Sequence, residues 1–143
     1  MNSLVLDNSV AMRWCFKDGS DTDLAYAEKV LDSLSDTLFL VPNLWHLEAV
    51  NVLVRAEKRL WLNSEQTQLF LALVMQLPIQ VDTETAGKAM TTTLTLAREC
   101  NLSAYDAAYL ELALRFGVPL ATLDVNLRKA AVKVGVLVFA CQD

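Results

Sequence analysis

Two rhythms of hydrophobic and polar residues run along this chain. Short, mostly apolar runs occur at 3–6, 37–41, 79–81, 120–123 and 136–139. Between them apolar residues recur three and four positions apart, as at Leu24, Ala27, Leu31 and Leu34. The first rhythm is that of strands covered on both faces, the second that of helices packed on one side. Helices are therefore expected over 10–16, 22–34, 44–60, 64–77, 83–100, 103–116 and 125–134. Punctuation supports these limits. Lys17-Asp18-Gly19-Ser20 ends the first helix, Asn43, Ser64 and Ser103 stand where N-caps belong, and Pro78 blocks further helix. Gly117 and Gly135 stand at helix stops, while Thr91-Thr92-Thr93 is a weak point inside 83–100. Alternating strands and helices predict an α/β fold, one domain over 1–143, with a central parallel sheet covered on both faces.

Composition narrows the picture. The chain has 143 residues, 54% of them hydrophobic, which is enough for one real core and excludes disorder. Four glycines and three prolines leave little room for long loops. A net charge of −5 argues against a generic nucleic-acid binder, since phosphates reward clustered Lys and Arg. It argues little against a site that holds cations, because a bound metal reverses the local sign. Cys15, Cys100 and Cys141 are odd in number and widely spaced. Buried thiols in a reducing compartment are expected rather than disulfides or a zinc site. The opening residues lack a basic segment before an apolar one, and Asp7 interrupts them, so no secretory signal is expected. No uncharged apolar run reaches membrane-spanning length. A cytoplasmic protein without a membrane partner is the expectation.

Four acidic residues carry the chemistry. The first and fourth strands end at Asp7 and Asp124, and ligands of open α/β sheets gather beyond such strand ends. Each aspartate alone is equally well explained as a helix N-cap. In the helix over 44–60, Leu44, Glu48, Asn51, Arg55, Lys58 and Arg59 share one narrow polar arc, with Leu47, Val50, Leu53 and Val54 on an apolar one. The plain alternative is a solvated face on a mostly buried helix. Asp106 has Leu102, Tyr109, Leu110 and Ala113 as helical neighbours, so it should point toward packed structure. A carboxylate there needs an ion-pair partner, several donors or a metal. A shared metal accounts for Asp7, Glu48, Asp106 and Asp124 together. Four carboxylates without a histidine favour Mg²⁺ or Mn²⁺ over zinc. His46, on a different arc, is expected at the surface. Such a site suits phosphodiester hydrolysis. Arg55, Lys58, Arg59, Arg128, Lys129 and Lys133 are candidates to guide an RNA backbone.

At these residues the sequence resembles a known family. Leu4-Val5-Leu6-Asp7-Asn8-Ser9, Leu47-Glu48-Ala49-Val50-Asn51, Leu102-Ser103-Ala104-Tyr105-Asp106-Ala107-Ala108-Tyr109 and Leu120-Ala121-Thr122-Leu123-Asp124-Val125-Asn126 resemble, in order, the four motifs of PIN-domain ribonucleases, specifically VapBC-type toxins. The resemblance implies a three-layer α/β/α sandwich, a Mg²⁺ or Mn²⁺ cofactor, RNA as substrate, a homodimer and a cognate antitoxin. It also implies supporting roles for Ser9, Asn51, Thr122 and Asn126, and treats Asn8 as a variable position. PIN domains also process RNA without an antitoxin.

Two other readings compete. An aspartyl-phosphate phosphatase also starts from a strand-end aspartate, but needs a second one where Ser9 stands. A non-catalytic interaction domain would use its acids only as caps and ion-pair partners. Trp14, Trp45, Trp61 and Tyr105 are expected in core or dimer packing rather than stacked on bases.

Overall fold

The computed structural model describes residues 2–140. Its sheet has four parallel strands, β1 (Asn2–Leu6), β2 (Thr37–Val41), β3 (Ile79–Val81) and β4 (Leu120–Ala121), in the order β3-β2-β1-β4. The inner strand β1 pairs on both edges, with Val5 opposite Leu40 on one side and Leu120 on the other. Leu4, Val5 and Leu6 are fully buried, which is why β1 is apolar without alternation.

The helices are α1 (Asn8–Cys15), α2 (Asp21–Asp32), α3 (Trp45–Lys58), α4 (Ser64–Gln76), α5 (Thr85–Lys88), α6 (Leu94–Cys100), α7 (Ala104–Phe116) and α8 (Val125–Val134). They form two groups, as an α/β/α arrangement requires. One gathers around α1, which touches α2, α3 and α4. The other gathers around α7, which packs on β1, β4, α6 and α8. Nearly every side of α7 is covered, from Ala107 through Ala113.

Several boundaries differ from expectation for identifiable reasons. The expected strand over 136–139 is a single bridge, Leu120 to Val138. Its partner β4 is only two residues long, because Thr122 and Leu123 leave the ladder: the Leu123 amide donates to the Ser9 hydroxyl at 2.9 Å. Asn43 is not a cap; Leu44 holds that position without a side-chain bond, and the Asn43 amide donates to Thr85 Oγ1. The cap expected at Ser64 belongs to Asn63, in a reciprocal capping box with Gln66. The helix expected over 83–100 splits into α5, a π turn at Ala89–Thr93 and α6, and the threonine run lies in that turn. Cys15 and Cys100 are free and half-buried rather than fully buried, and burial pushes the Cys15 thiol up. Cys141 lies outside the described residues.

The face of α3 is also reassigned. Its buried residues are Trp45, Ala49, Leu53 and Ala56, spaced four, four and three apart. Of the apolar arc expected inside, only Leu53 is covered; Leu47, Val50 and Val54 are 76%, 49% and 44% exposed. A helical wheel groups residues by face but does not say which of two apolar faces meets the rest of the fold. Here the alanines admit close packing, and the larger side chains are left outside.

Two features fix the periphery. Arg115 at the end of α7 bridges Asp82 at 2.7 Å, Glu111 at 2.8 Å and Glu84 at 3.3 Å. This ties the exit of β3 to α7, and the guanidinium holds the Asp82 carboxyl below its ordinary range. At the end of α3, Leu60 takes the left-handed conformation (φ 60°) that usually goes to glycine. The Trp61 amide then closes on Ala56 O at 3.0 Å.

Removing Arg115 as Arg115→Ala should cost about 1–3 kcal/mol in urea unfolding, because buried Glu111 loses the cation bonded to it. Leu60→Gly should raise stability by roughly 0.5–1 kcal/mol, the left-handed penalty less glycine's added chain entropy. Leu60 is 90% exposed, so little packing is lost. A lower urea midpoint for Leu60→Gly would contradict the assignment of strain.

Candidate active site

Asp7 closes β1 and is only 7% exposed. Its Oδ2 accepts hydrogen bonds from Ser9 Oγ and Thr122 Oγ1, each at 2.7 Å. Those hydroxyls themselves accept the amides of Leu123 and Asp124, at 2.9 and 3.0 Å. A hydroxyl has one hydrogen to give, and both are spent on Asp7. The 3.3 Å contact between the two oxygens is therefore proximity without a shared proton. The end of β1, the start of α1 and the turn after β4 are thus joined at one carboxylate oxygen. Asp7 stands at the N-cap position of α1 but makes no side-chain cap bond there, so capping does not occupy its carboxylate.

Asp124 does cap its helix: Oδ1 accepts the Leu127 amide at 2.9 Å. Capping occupies one oxygen only. Glu48, in the first turn of α3, is held the same way. Its Oε1 accepts the Tyr109 hydroxyl at 2.5 Å and Asn8 Nδ2 at 3.4 Å, while Asn8 donates more closely to Trp45 O at 2.9 Å. Asp106, near the start of α7, is half-buried, and its amide donates to Ser103 Oγ at 3.1 Å. None of the ion pairs among the described residues includes it, so the ion-pair alternative is not realised there.

The acids share one electrostatic neighbourhood. Burial raises the carboxyl pKa of Asp7, and the charges of Glu48 and Asp124 raise it further, against the lowering effect of Thr122 and Ser9. Burial raises Glu48 most, with a contribution from Asp106, while Tyr109 and Asn8 oppose it. Burial raises Asp106 as well, followed by the charges of Asp7 and Asp124. Tyr109 is pushed far up by burial and by Asp7 and Glu48, so its phenol stays protonated and remains a donor.

A divalent cation fits the chemistry of these donors. All are hard oxygens, and Asp7, Glu48 and Asp124 each keep one oxygen that no described residue bonds. As they stand, no three His, Cys, Asp or Glu side chains among the described residues enclose an ion by themselves. Mg²⁺ does not require such a cage, since it retains water and takes as few as one or two carboxylates.

The other expected residues divide. Ser9 and Thr122 touch Asp7, whereas Asn51 and Asn126 are exposed and make no hydrogen bond to the acids among the described residues. Arg55, Lys58, Arg59 and Lys129 are exposed. Arg128 is committed to the fold: Nε donates to Thr122 O at 2.7 Å and its guanidinium lies 4.6 Å from the Tyr26 ring centroid. His46 is exposed as expected, edge-on to the Trp45 ring. Trp45 is in the core and Trp14 bonds Ala27 O, but Tyr105 and Trp61 are not in the core, at 63% and 62% exposed. Asn8 and Tyr109 were missed. Asn8 is buried beside Glu48 rather than at an indifferent position, and Tyr109 is more than an apolar neighbour of Asp106. Only their adjacency to the two aspartates hinted at this.

Raised carboxyl pKa values make the metal-free folded state bind protons more readily than the unfolded chain. Stability therefore falls as pH rises through the folded-state values and recovers as pH drops toward the unfolded ones. Asp106→Asn should accordingly raise the metal-free melting temperature at pH 7, and its advantage over wild type should shrink as pH falls. A variant advantage that stays constant across pH would show that charge repulsion is not its source.

Residues 4–133 match the PIN domain. The fold is similar to the crystal structure of PAE2754 from Pyrobaculum aerophilum, with a TM-score of 0.64 and 21% identity over 90% of this chain and 79% of that one. It is also similar to FitAcB from Neisseria gonorrhoeae, with a TM-score of 0.58 and 20% identity over 95% of this chain and 96% of the other. No curated protein matches the sequence. The structural likenesses establish the fold, and the family match spans all four acids: the chain belongs to the PIN domain family, a family of nucleases.

Proposed function

We propose that this protein is a Mg²⁺- or Mn²⁺-dependent ribonuclease, with Asp7, Glu48, Asp106 and Asp124 as its metal-holding and catalytic acids, and that it is the toxin of a VapBC-type pair. The observation that carries this reading is that three carboxylates are each anchored through one oxygen, leaving the other to a ligand. When bound, the cation would activate water for in-line attack and stabilise charge on the phosphate and the leaving oxygen, giving a 5′ phosphate and a 3′ hydroxyl.

The chain's own residues supply position. Ser9 and Thr122 fix Asp7 Oδ2, which holds the carboxylate in one orientation and leaves its other oxygen without a partner among the described residues. Tyr109 and Asn8 do the same for Glu48, and the Leu127 amide for Asp124. Metal and protons compete for these acids, so loading improves as pH rises. Arg55, Lys58, Arg59 and Lys129 draw the RNA backbone in; Arg128 contributes through its hold on the Thr122 turn instead. Ser9 and Thr122 are the supporting residues in this reading. The exposed Leu47, Val50 and Val54 of α3 favour a protein partner, either a second copy or an antitoxin. The proposed setting is the cytoplasm. No helix among the described residues is long and apolar enough to cross a membrane.

Purified protein incubated with cellular RNA should generate new 5′-phosphorylated ends in Mn²⁺ and none in EDTA. Asp106→Asn should lower that rate by at least about 100-fold, as removal of a preorganised charged group does elsewhere. Millimolar Mn²⁺ should raise the wild-type melting temperature, since an ion that binds only the folded state stabilises it. Neither cleavage nor a melting shift in Mn²⁺ would favour a non-catalytic interaction domain.

A further inference from the structure

Beside the acids lies a cleft of about 310 Å³ between α1 and the second half of α3, whose walls include Ser9, Met12, Arg13, Arg55, Arg59 and Trp61. We infer that this cleft is a nucleotide subsite of the ribonuclease site proposed above: it takes one unpaired base of single-stranded RNA against Trp61, with the flanking phosphate on Arg55.

Continuity with the acids comes first. Ser9 forms part of the cleft wall and donates directly to Asp7. Arg55 lies seven residues after Glu48 on the same helix, about 10 Å along its axis. A strand lying across the acids therefore reaches the cleft without a turn.

Charge comes second. The protein carries a net −5, yet three arginines meet here. Arg13 is neutralised by Asp18 at 2.6 Å. Arg55 and Arg59 have no acidic partner among the described residues. Asp18 also lines the cleft but is bonded to Arg13. Two cations free of ion pairs among the described residues, next to acids that likewise form none there, suit a ligand that is anionic at one end and reacts at the other.

The third observation is the ring. Trp61 is 62% exposed, and the Arg59 guanidinium sits 5.0 Å from its centroid. The backbone bears a left-handed leucine, Leu60, to place it, and the Trp61 amide locks that turn onto Ala56. An exposed indole on a strained turn, braced by a cation, gains nothing from the core. Such a ring is a platform on which a flat nucleobase can stack. Buried Met12 and Ala56 give the cleft an apolar floor. Paired bases hide their faces in their own stack, so the occupant is a single strand.

Binding of a fluorescein-labelled, mixed-sequence single-stranded RNA can be measured by anisotropy in the Asp106→Asn background, which prevents cleavage. Trp61→Ala should weaken binding roughly 5- to 150-fold, the usual effect of removing one stacked aromatic, and Trp61→Phe should restore most of it. Arg55→Ala should weaken binding and reduce the salt slope by about 0.7, one phosphate contact on a single strand. Both side chains are exposed, so the variants should fold. If the parent binds no RNA, or if Trp61→Ala and Arg55→Ala bind as tightly as the parent, the subsite is refuted and a peptide becomes the better occupant. Trp61-dependent RNA binding by a wild type that never cleaves RNA would uphold the subsite and refute the ribonuclease reading.

Discussion

Bringing carboxylates to one edge of a parallel sheet costs free energy twice, once for leaving water and once for mutual repulsion. Neither cost is met by a basic side chain among the described residues. The fold meets part of it with neutral donors: two hydroxyls on Asp7, a phenol and an amide on Glu48, and a helix amide on Asp124. These donors come from different elements, so the bonds that orient the acids also join β1, the β4 turn, α1, α3 and α7. Site and scaffold are one network at this edge, and the repulsion that remains is what the proposed cation would relieve.

Helix α7 shows how differently the same charge can be treated along one element. At its far end Glu111 and Asp82 are buried about Arg115, which is bonded to both. That cluster is closed, and it pins α7 to the exit of β3. At its near end Asp106 forms no ion pair among the described residues, and the Tyr109 hydroxyl donates a hydrogen bond to Glu48. Pinning one end of the helix lets the other hold a charge at a set place without a salt bridge that would quench it. The brevity of β4 belongs to the same economy. Thr122 and Leu123 turn to the Asp7 network, and the strand gives up the ladder that would have drawn 136–139 into the sheet.

Charge across the surface follows the same logic. Net acidity leaves room for an anionic ligand, because Arg55 and Arg59, which form no ion pair among the described residues, stand together in the cleft beside the acids. Arg128 shows the converse. Its position in the first turn of α8, just after Asp124, suggests a role on RNA, but its bond to Thr122 O and its place over Tyr26 spend it on the fold.

The sequence by itself determined the alternation of strands and helices, the stops at Gly117 and Gly135, the weak threonine run, and the four acids with Ser9 and Thr122. The strand-end aspartates, Glu48 on its polar arc and Asp106 on its apolar stripe are written in local spacing, whereas Ser9 and Thr122 entered through the family resemblance. Tertiary structure alone decided which apolar face of α3 is covered, because periodicity is silent about neighbours. It alone brought Asn8 against Glu48, 40 residues away, and Tyr109 against Glu48, 61 residues away. It also left Asn51 and Asn126 in solvent although they lie within motifs, and left Trp61 outside the core. A hydrogen bond across such separations depends on where whole elements dock, and no window of sequence contains that information.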